Sequence, residues 1–359
     1  MTRVALIGAG DICPAYVNGL RRFPALKLVG LADARHEAAV ARGRELDVPV
    51  FTLDALLASD ADIIINLTPP QAHFEVCQRI LAAGKHVYTE KPLAATFGQG
   101  QQLLADAQQR GLRVGCAPDT FLGAAGQTAR RFVDQGGIGA VVAGQAIMME
   151  RGPDDWHPNP GFFYAAGAGP LLDMGVYYLT QLVQLLGPIE QVQGLAHSSW
   201  SPRIVPRGER KGATIEVDTP THVTGGLRFA NGAFVNLTTS FDVWKHASTP
   251  IELYGADGTL LLPDPNNFGG ELRYSQQDGD WQGLPLSQPF DSNLRGLGVA
   301  EMADAIREGR PHRASGEMAL HVLEVMETLL QSAAQQRPLP VLTRCERPAP
   351  LDTLPGGFA

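Results

Sequence analysis

No apolar run in this chain approaches the roughly 18 to 20 residues that a bilayer-spanning helix requires, so no transmembrane segment is expected. Cysteine is scarce: Cys13, Cys77, Cys116 and Cys345 are scattered, with neither a CxxC pair nor metal-ligand spacing. They read as buried or incidental thiols of a reducing compartment. Positive charge is in deficit, 29 Lys and Arg against 37 Asp and Glu, and the difference of 29 − 37 = −8 argues against nucleic acid and anionic membranes as main partners. It leaves a small neutral substrate open. A charged-then-apolar leader with a small-residue cleavage site is missing too, since the chain runs directly into Val4-Ala5-Leu6-Ile7. A cytoplasmic location is the resulting expectation.

What is present is the composition of a well-buried protein, 44% apolar and 18% charged. At 359 residues the chain is long for a single core, so two domains are expected. Strand-like runs at 3–7, 26–32, 48–51, 62–67, 85–89 and 113–117 alternate with helical stretches at 15–23, 54–58, 71–83 and 98–109. That alternation predicts right-handed βαβ units in one doubly wound parallel sheet. From about residue 121 the texture changes. A helix at 124–135, a strand at 141–150 and a loop rich in Pro, Asp and aromatics lead to a helix at 171–186. Strands at 221–229, 233–241, 250–254, 259–262 and 271–274 follow, joined by hairpin-type turns such as Ala230-Asn231-Gly232. Helices at 295–308 and 316–335 close the chain. The expected fold class is α/β: a Rossmann-type doubly wound parallel sheet at the N-terminus, then an α+β domain with a mainly antiparallel sheet. The expected division is 1–120, 121–345 and an irregular Pro-rich tail, 346–359.

The first strand opens into Gly8-Ala9-Gly10-Asp11-Ile12-Cys13, a G-x-G-x-x-G pattern with cysteine in the third position. Gly8 and Gly10 permit a tight turn and let backbone N–H groups, those of Asp11 and Ile12 included, approach a pyrophosphate at a helix N-terminus. The third position needs only a small residue for helix–strand packing. Asp33 ends the second strand 33 − 13 = 20 positions past Cys13, where such folds place an acid for the ribose hydroxyls. Its alternative role is to cap the following helix. Its charge would repel a 2′-phosphate and favour NAD; Arg35 could neutralise that phosphate and keeps NADP open.

The strand at 85–89 ends in Glu90-Lys91-Pro92. A residue before proline is pushed out of the α region, so Lys91 should be extended and carry its amine beyond the strand end, where open α/β sheets bind ligands. A solvated turn lysine is the alternative. Asp154-Asp155-Trp156-His157 resembles a metal cluster only superficially, because consecutive acids and one histidine lack spaced partners; no metal is expected. Trp156 and His157 read instead as substrate-pocket residues, an aromatic face for a sugar ring and a hydrogen-bonding imidazole. Phe162, Phe163 and Tyr164 of the same loop could equally be packing.

Gly8-Ala9-Gly10, Asn66-Leu67-Thr68-Pro69-Pro70 and Glu90-Lys91-Pro92, with Gly167-Ala168-Gly169-Pro170-Leu171-Leu172-Asp173-Met174-Gly175-Val176-Tyr177, together resemble the Gfo/Idh/MocA oxidoreductase family over nearly the full chain. The resemblance implies a nicotinamide-dependent enzyme acting on a sugar, cyclitol or related polyol. It implies that Lys91, Asp173 and Tyr177 face the nicotinamide. Asn66, Thr68, Pro69, His73 and Glu90 would belong to the cofactor site, and the Lys91–Pro92 bond becomes a candidate for the cis isomer. It also implies a homodimer or homotetramer through the second domain's sheet. The chain departs from the common pattern at Tyr177, where many members carry histidine. An unperturbed tyrosine has a pKa near 10, and a lysine cation beside it would lower that value. The expected proton-handling pair is therefore Lys91 with Tyr177, and Asp173 orients Lys91 or accepts a substrate hydroxyl. Two alternatives share the fold: a regulator that binds dinucleotide without turnover, and an NAD-dependent glycosidase that oxidises its sugar transiently.

Overall fold

A computed structural model describes residues 1–154, 156–157 and 159–358. The chain starts with β1 (Thr2–Ile7), α1 (Cys13–Leu20), β2 (Leu26–Ala32), α2 (His36–Leu46), α3 (Leu53–Leu57), β3 (Ile63–Asn66), α4 (His73–Ala82), β4 (His86–Thr89), α5 (Phe97–Gln109) and β5 (Val114–Cys116). Next come α6 (Ala124–Asp134), β6 (Val141–Met149), α7 (Val176–Leu186), β7 (Ile189–His197), and the small pair β8 (Arg203–Ile204) and β9 (Thr214–Ile215). Then follow β10 (His222–Phe229), β11 (Phe234–Ser240), β12 (Ile251–Gly255), β13 (Gly258–Leu262), β14 (Leu272–Gln276), β15 (Gln282–Leu284), α8 (Leu297–Glu308), α9 (Gly316–Gln335) and β16 (Leu339–Pro340). Two compact units emerge. One holds Met1–Gln127, Gln288–Leu320 and the chain end from Pro348; the other holds Thr128–Ser287 and His321–Arg347. The sequence reading drew contiguous blocks, whereas these units interleave along the chain.

In the first unit the strands lie in the order β2-β1-β3-β4-β5, all parallel. Ile63, Ile64 and Ile65 are fully buried, as expected of a strand covered on both faces. Residues Ala32, Ile7, Asn66 and Thr89 stand side by side in one row at the carboxyl ends of four neighbouring strands. The turns that follow them, starting at Asp33, Gly8, Leu67 and Glu90, therefore leave the same edge of the sheet. The third strand predicted at 48–51 does not form. Only Val50 bridges Leu31, because Pro49 has no N–H to donate and the ladder ends with Phe51 N–H on Leu31 O. The sheet has five strands, not six.

In the second unit nine strands run in the order β15-β14-β13-β12-β6-β11-β10-β7-β16, antiparallel except for the pair β6–β11. The strand Ile189–His197 escaped the sequence reading. Its buried positions do not alternate strictly, and a bulge offsets its pairing where Phe229 meets Ile189. Every residue of α7 is buried, and Gly194 of β7 lies so close to α9 that a Cβ there would meet Leu329 O at 2.5 Å. Leu195 and Phe234 are exposed on the strands at 67% and 58%, leaving apolar side chains uncovered on this sheet. Among the described residues, no helix is long and apolar enough to cross a membrane.

Candidate functional site

The first turn is fixed by sterics. Gly8 adopts φ +116°, and a Cβ there would meet the Leu67 carbonyl carbon and oxygen at 2.7 Å each, so only glycine fits. Nothing lies within 4 Å of the Cβ position of Gly10, which leaves its backbone open to an incoming group. Cys13 is fully buried at the start of α1, and burial pushes its thiol up to about 11. It is a packing residue, as the third glycine position requires. The α1 N-cap, Ile12, offers no side-chain cap, and Asp11 is exposed. A bare helix N-terminus behind an open glycine suits a pyrophosphate. The residues present fit a dinucleotide.

Asp33 closes this turn from the next strand. Ala9 N–H donates to its Oδ2 and Arg35 N–H to its Oδ1, each at 2.8 Å. Each oxygen keeps a lone pair for a ribose hydroxyl. The α2 N-cap is Arg35, which is exposed, so Asp33 does not occupy the capping position. Arg42, which the sequence reading did not single out, donates from Nε to Ala9 O at 3.3 Å and adds a second cation near the turn.

The turns after β3 and β4 are bonded to each other. Asn66 is buried and donates from Nδ2 to His73 O and to Cys77 Sγ, both at 3.2 Å. Its Oδ1 accepts from Thr68 N–H (3.1 Å) and Thr68 Oγ1 (2.7 Å). His73, also fully buried, lies 2.7 Å from Pro92 O through Nδ1 and 2.8 Å from Thr68 O through Nε2. Burial lowers its pKa, and the two carbonyl contacts oppose that shift. Asn66 and His73, expected as cofactor contacts, thus have their polar atoms engaged inside the protein; they shape the site's wall. Thr68 is half-buried and Pro69 exposed at its rim.

Glu90 is held from three sides. Tyr16 of α1 donates its hydroxyl to Oε1 at 2.7 Å, Lys91 N–H donates to Oε2 at 3.1 Å, and Glu90 N–H donates to Asn66 O at 2.9 Å. Tyr16 is fully buried, and burial together with the Glu90 charge raises its pKa well above the usual tyrosine range, so it remains a donor. Lys91 is half-buried, and its bond to Pro92 is cis.

In the second unit Gly169 (φ +92°) leads into Pro170 and a π-type turn, Leu171–Gly175, ahead of α7. The regular helix predicted from Leu171 therefore begins with a widened turn, a feature common at functional sites. Asp173 N–H donates to Gly169 O (3.0 Å), and a Cβ on Gly175 would stand 3.2 Å from Thr239 Cγ2 of β11, so the turn is seated against the sheet. Asp173 is half-buried and Tyr177 buried. Glu150, just past β6, was not anticipated. Burial raises its pKa, and the charges of Asp173 and Asp264 raise it further, so a third carboxyl group shares the surroundings of Asp173.

Asp154 is structural. Arg151 (2.9 Å) and the buried Arg203 (3.0 Å) pair with it, and Tyr164 donates its hydroxyl to it. Arg203 also reaches Asp242 (2.6 Å) and the Arg151 and Phe241 carbonyls. Among the described residues, no three His, Cys, Asp or Glu groups are arranged to hold a metal; Asp155 lies outside them. Trp156 is 66% exposed, while the half-buried His157 is flanked by Trp156, Phe162 and Phe163, with ring centroids 5.5, 5.4 and 4.9 Å away. Phe163 and Tyr164 are buried packing residues.

Comparison with known proteins bears on these features. Residues 2–117 match the family model described as an oxidoreductase family with an NAD-binding Rossmann fold, and residues 127–261 match the GFO/IDH/MocA C-terminal domain. The dTDP-3,4-didehydro-2,6-dideoxy-alpha-D-glucose 3-reductase of Streptomyces violaceoruber is 31% identical, over 92% of this chain and 95% of that protein. The 1,5-anhydro-D-fructose reductase of Ensifer adhaerens is 26% identical, over 93% and 97% respectively. Among solved structures, an NAD binding oxidoreductase from Klebsiella pneumoniae superposes with a TM-score of 0.84 at 22% identity, covering 95% of this chain and 99% of that one.

Proposed function

The chain belongs to the GFO/IDH/MocA family of NAD-binding oxidoreductases, and from that premise we propose that it interconverts a secondary alcohol and a ketone on a sugar, cyclitol or related polyol. One observation carries this reading. The edge of the parallel sheet sets out, strand by strand, Asp33, the glycine turn at Gly8, the Thr68 turn and the Glu90-Lys91-Pro92 turn. That is the order in which an extended dinucleotide needs an acid, an anion cradle and a reactive end.

Gly8, Gly10 and the N–H groups of Asp11 and Ile12 would hold the pyrophosphate, and Asp33 the ribose hydroxyls. The bound nicotinamide supplies the hydride acceptor or donor. Lys91 holds the reacting oxygen and stabilises the charge that develops there. Tyr177 exchanges the hydroxyl proton; a lysine ammonium favours the phenolate this requires. Asp173 orients Lys91 or accepts a neighbouring hydroxyl, and Trp156 and His157 meet the substrate ring. The sugar substrates named for the two reductases support a carbohydrate for this chain also. Asp33 favours NAD; Arg35 and Arg42 leave room for NADP. The exposed Leu195 and Phe234 on the nine-stranded sheet support a homodimer or homotetramer through it. The four free cysteines, all buried, suit a reducing compartment such as the cytoplasm.

The test is a panel of sugars and cyclitols with NAD and NADP, followed by absorbance of the reduced cofactor. On the best substrate, Lys91→Ala and Tyr177→Phe should each lower turnover by about a hundredfold or more. Wild-type turnover in both variants overturns the assignment.

A further inference from the structure

We propose that Tyr16 is a positioning residue for the reaction, acting through Glu90 on the Lys91 turn; this rests on the reading of Lys91 given above. Tyr16 lies in the first turn of α1, three residues past Cys13, where the glycine turn becomes a helix. Glu90 lies 74 residues further along, yet the Tyr16 hydroxyl and the Glu90 carboxylate meet at 2.7 Å. The other carboxylate oxygen accepts the N–H of Lys91 itself, at 3.1 Å. One carboxylate therefore bridges the helix that opens on the pyrophosphate cradle and the backbone of the residue that holds the substrate oxygen.

The bridge acts at a point between two other backbone anchors of the turn. The backbone of residue 90 is tied through its N–H to Asn66 O, and Pro92 O lies against the His73 ring. Between these anchors, the Lys91 amide has the Glu90 carboxylate as its acceptor. The Glu90 carboxylate is in turn fixed in direction by the phenol of Tyr16, a fully buried side chain with no freedom to leave. A small rotation of the turn moves the end of a lysine side chain much further than it moves the backbone. Reactions that depend on near-attack geometry lose rate steeply with such displacements. The cradle itself does not depend on Tyr16. Gly8 N–H bonds Ala32 O and Ala9 N–H bonds Asp33, so the dinucleotide's phosphate and ribose contacts stand without it.

These dependencies set the test. Tyr16→Phe, Glu90→Gln and the double variant are compared with wild type by steady-state kinetics, by fluorescence titration with NADH, and by thermal unfolding of the unliganded protein. Tyr16→Phe should lower kcat about tenfold, with substrate KM and the NADH Kd each within about threefold of wild type. The double variant should be no slower than the slower single variant, because both act through one bridge. A kcat within twofold of wild type, or losses that multiply in the double variant, overturns the proposal. So does a fall in kcat matched by a comparable weakening of NADH or a collapse in thermal stability, since Tyr16 would then be merely structural. If Lys91→Ala also keeps wild-type turnover, the underlying function is what fails. If Lys91→Ala is inactive and Tyr16→Phe is not impaired, only the bridge is refuted.

Discussion

Lowering the pH from 7.5 to 5 should destabilise the second unit by about 2 kcal/mol through His321 alone. The reason is geometric. Ile189 N–H donates to His321 Nε2 at 2.9 Å, so that nitrogen must be a bare acceptor, and the ring proton sits on Nδ1, 3.0 Å from Thr343 Oγ1. Adding a proton to Nε2 would set donor against donor in a site with no solvent exposure. Burial is the main cause of the shift; Glu324 opposes it, Arg344 assists it, and the pKa falls from 6.5 to about 4. Between those values the unfolded chain binds a proton that the folded chain refuses. Stability therefore rises with pH across this window and is lost as pH falls toward 4. At pH 5 the unfolded form carries that proton most of the time and the folded form rarely, which gives the figure of about 2 kcal/mol; for a unit of this size that corresponds to roughly 4–8 °C in Tm.

The assay compares wild type with His321→Gln, which cannot titrate, by thermal unfolding at both pH values. The variant is expected to start less stable, but its pH slope should be shallower by about the same 2 kcal/mol. Other histidines of lowered pKa, His73, His86 and His312 among them, contribute equally to both proteins and cancel in the difference. Equal slopes in the two proteins would refute the tautomer argument.

Two further expectations concern the site's supports. Arg203→Met should destabilise the second unit by about 3–5 kcal/mol, because it leaves Asp154 and Asp242 buried with too few partners; urea unfolding reads this directly, and a loss under about 1 kcal/mol would contradict it. Asp33→Ser should narrow the proposed NAD-over-NADP preference and raise the Kd for NAD by about tenfold, since it removes both the proposed ribose acceptor and the carboxylate that anchors Ala9 N–H; unchanged affinity for both cofactors would refute that role.

The parallel sheet was legible because its strands announce themselves. Ile63-Ile64-Ile65 is a run apolar on both faces, and Gly8 sits where steric contact with Leu67 admits nothing larger. A local signal also marked the end of the helix read at 71–83, where Gly84 follows α4 with a φ of +74°. Where the reading failed, the deciding contact was remote. Residues 48–51 look like a strand in isolation, but one bridge to Leu31 is all the neighbouring chain provides. Ile189–His197 looks like nothing in particular until β10 and β16 pair with it. The surroundings of Tyr16, Arg42 and Glu150 depend on partners 23 to 114 residues away, and no spacing rule encodes such distances.

That contrast bears on how the site holds its geometry. The ladder fixes where each turn leaves the sheet, but not the direction in which its side chains point. Direction comes from bonds between turns: Asp33 to Ala9, Asn66 to His73, the His73 ring against Pro92, and Tyr16 to Glu90. Two of them, Asp33 to Ala9 and His73 to Pro92, join segments that follow neighbouring strands, Asn66 to His73 braces a single connection, and Tyr16 to Glu90 links segments after β1 and β4; two of the four are buried and two part-buried. A chain that kept Gly8, Gly10, Lys91 and Pro92 but lost these cross-bonds would retain the fold and the motif, because neither depends on them. Under the proposed function, it would lose the fixed approach of Lys91 to a substrate oxygen, on which the rate of that reaction would depend. On that proposal the motif residues would carry the reaction, and the residues that brace them would set how fast it can run.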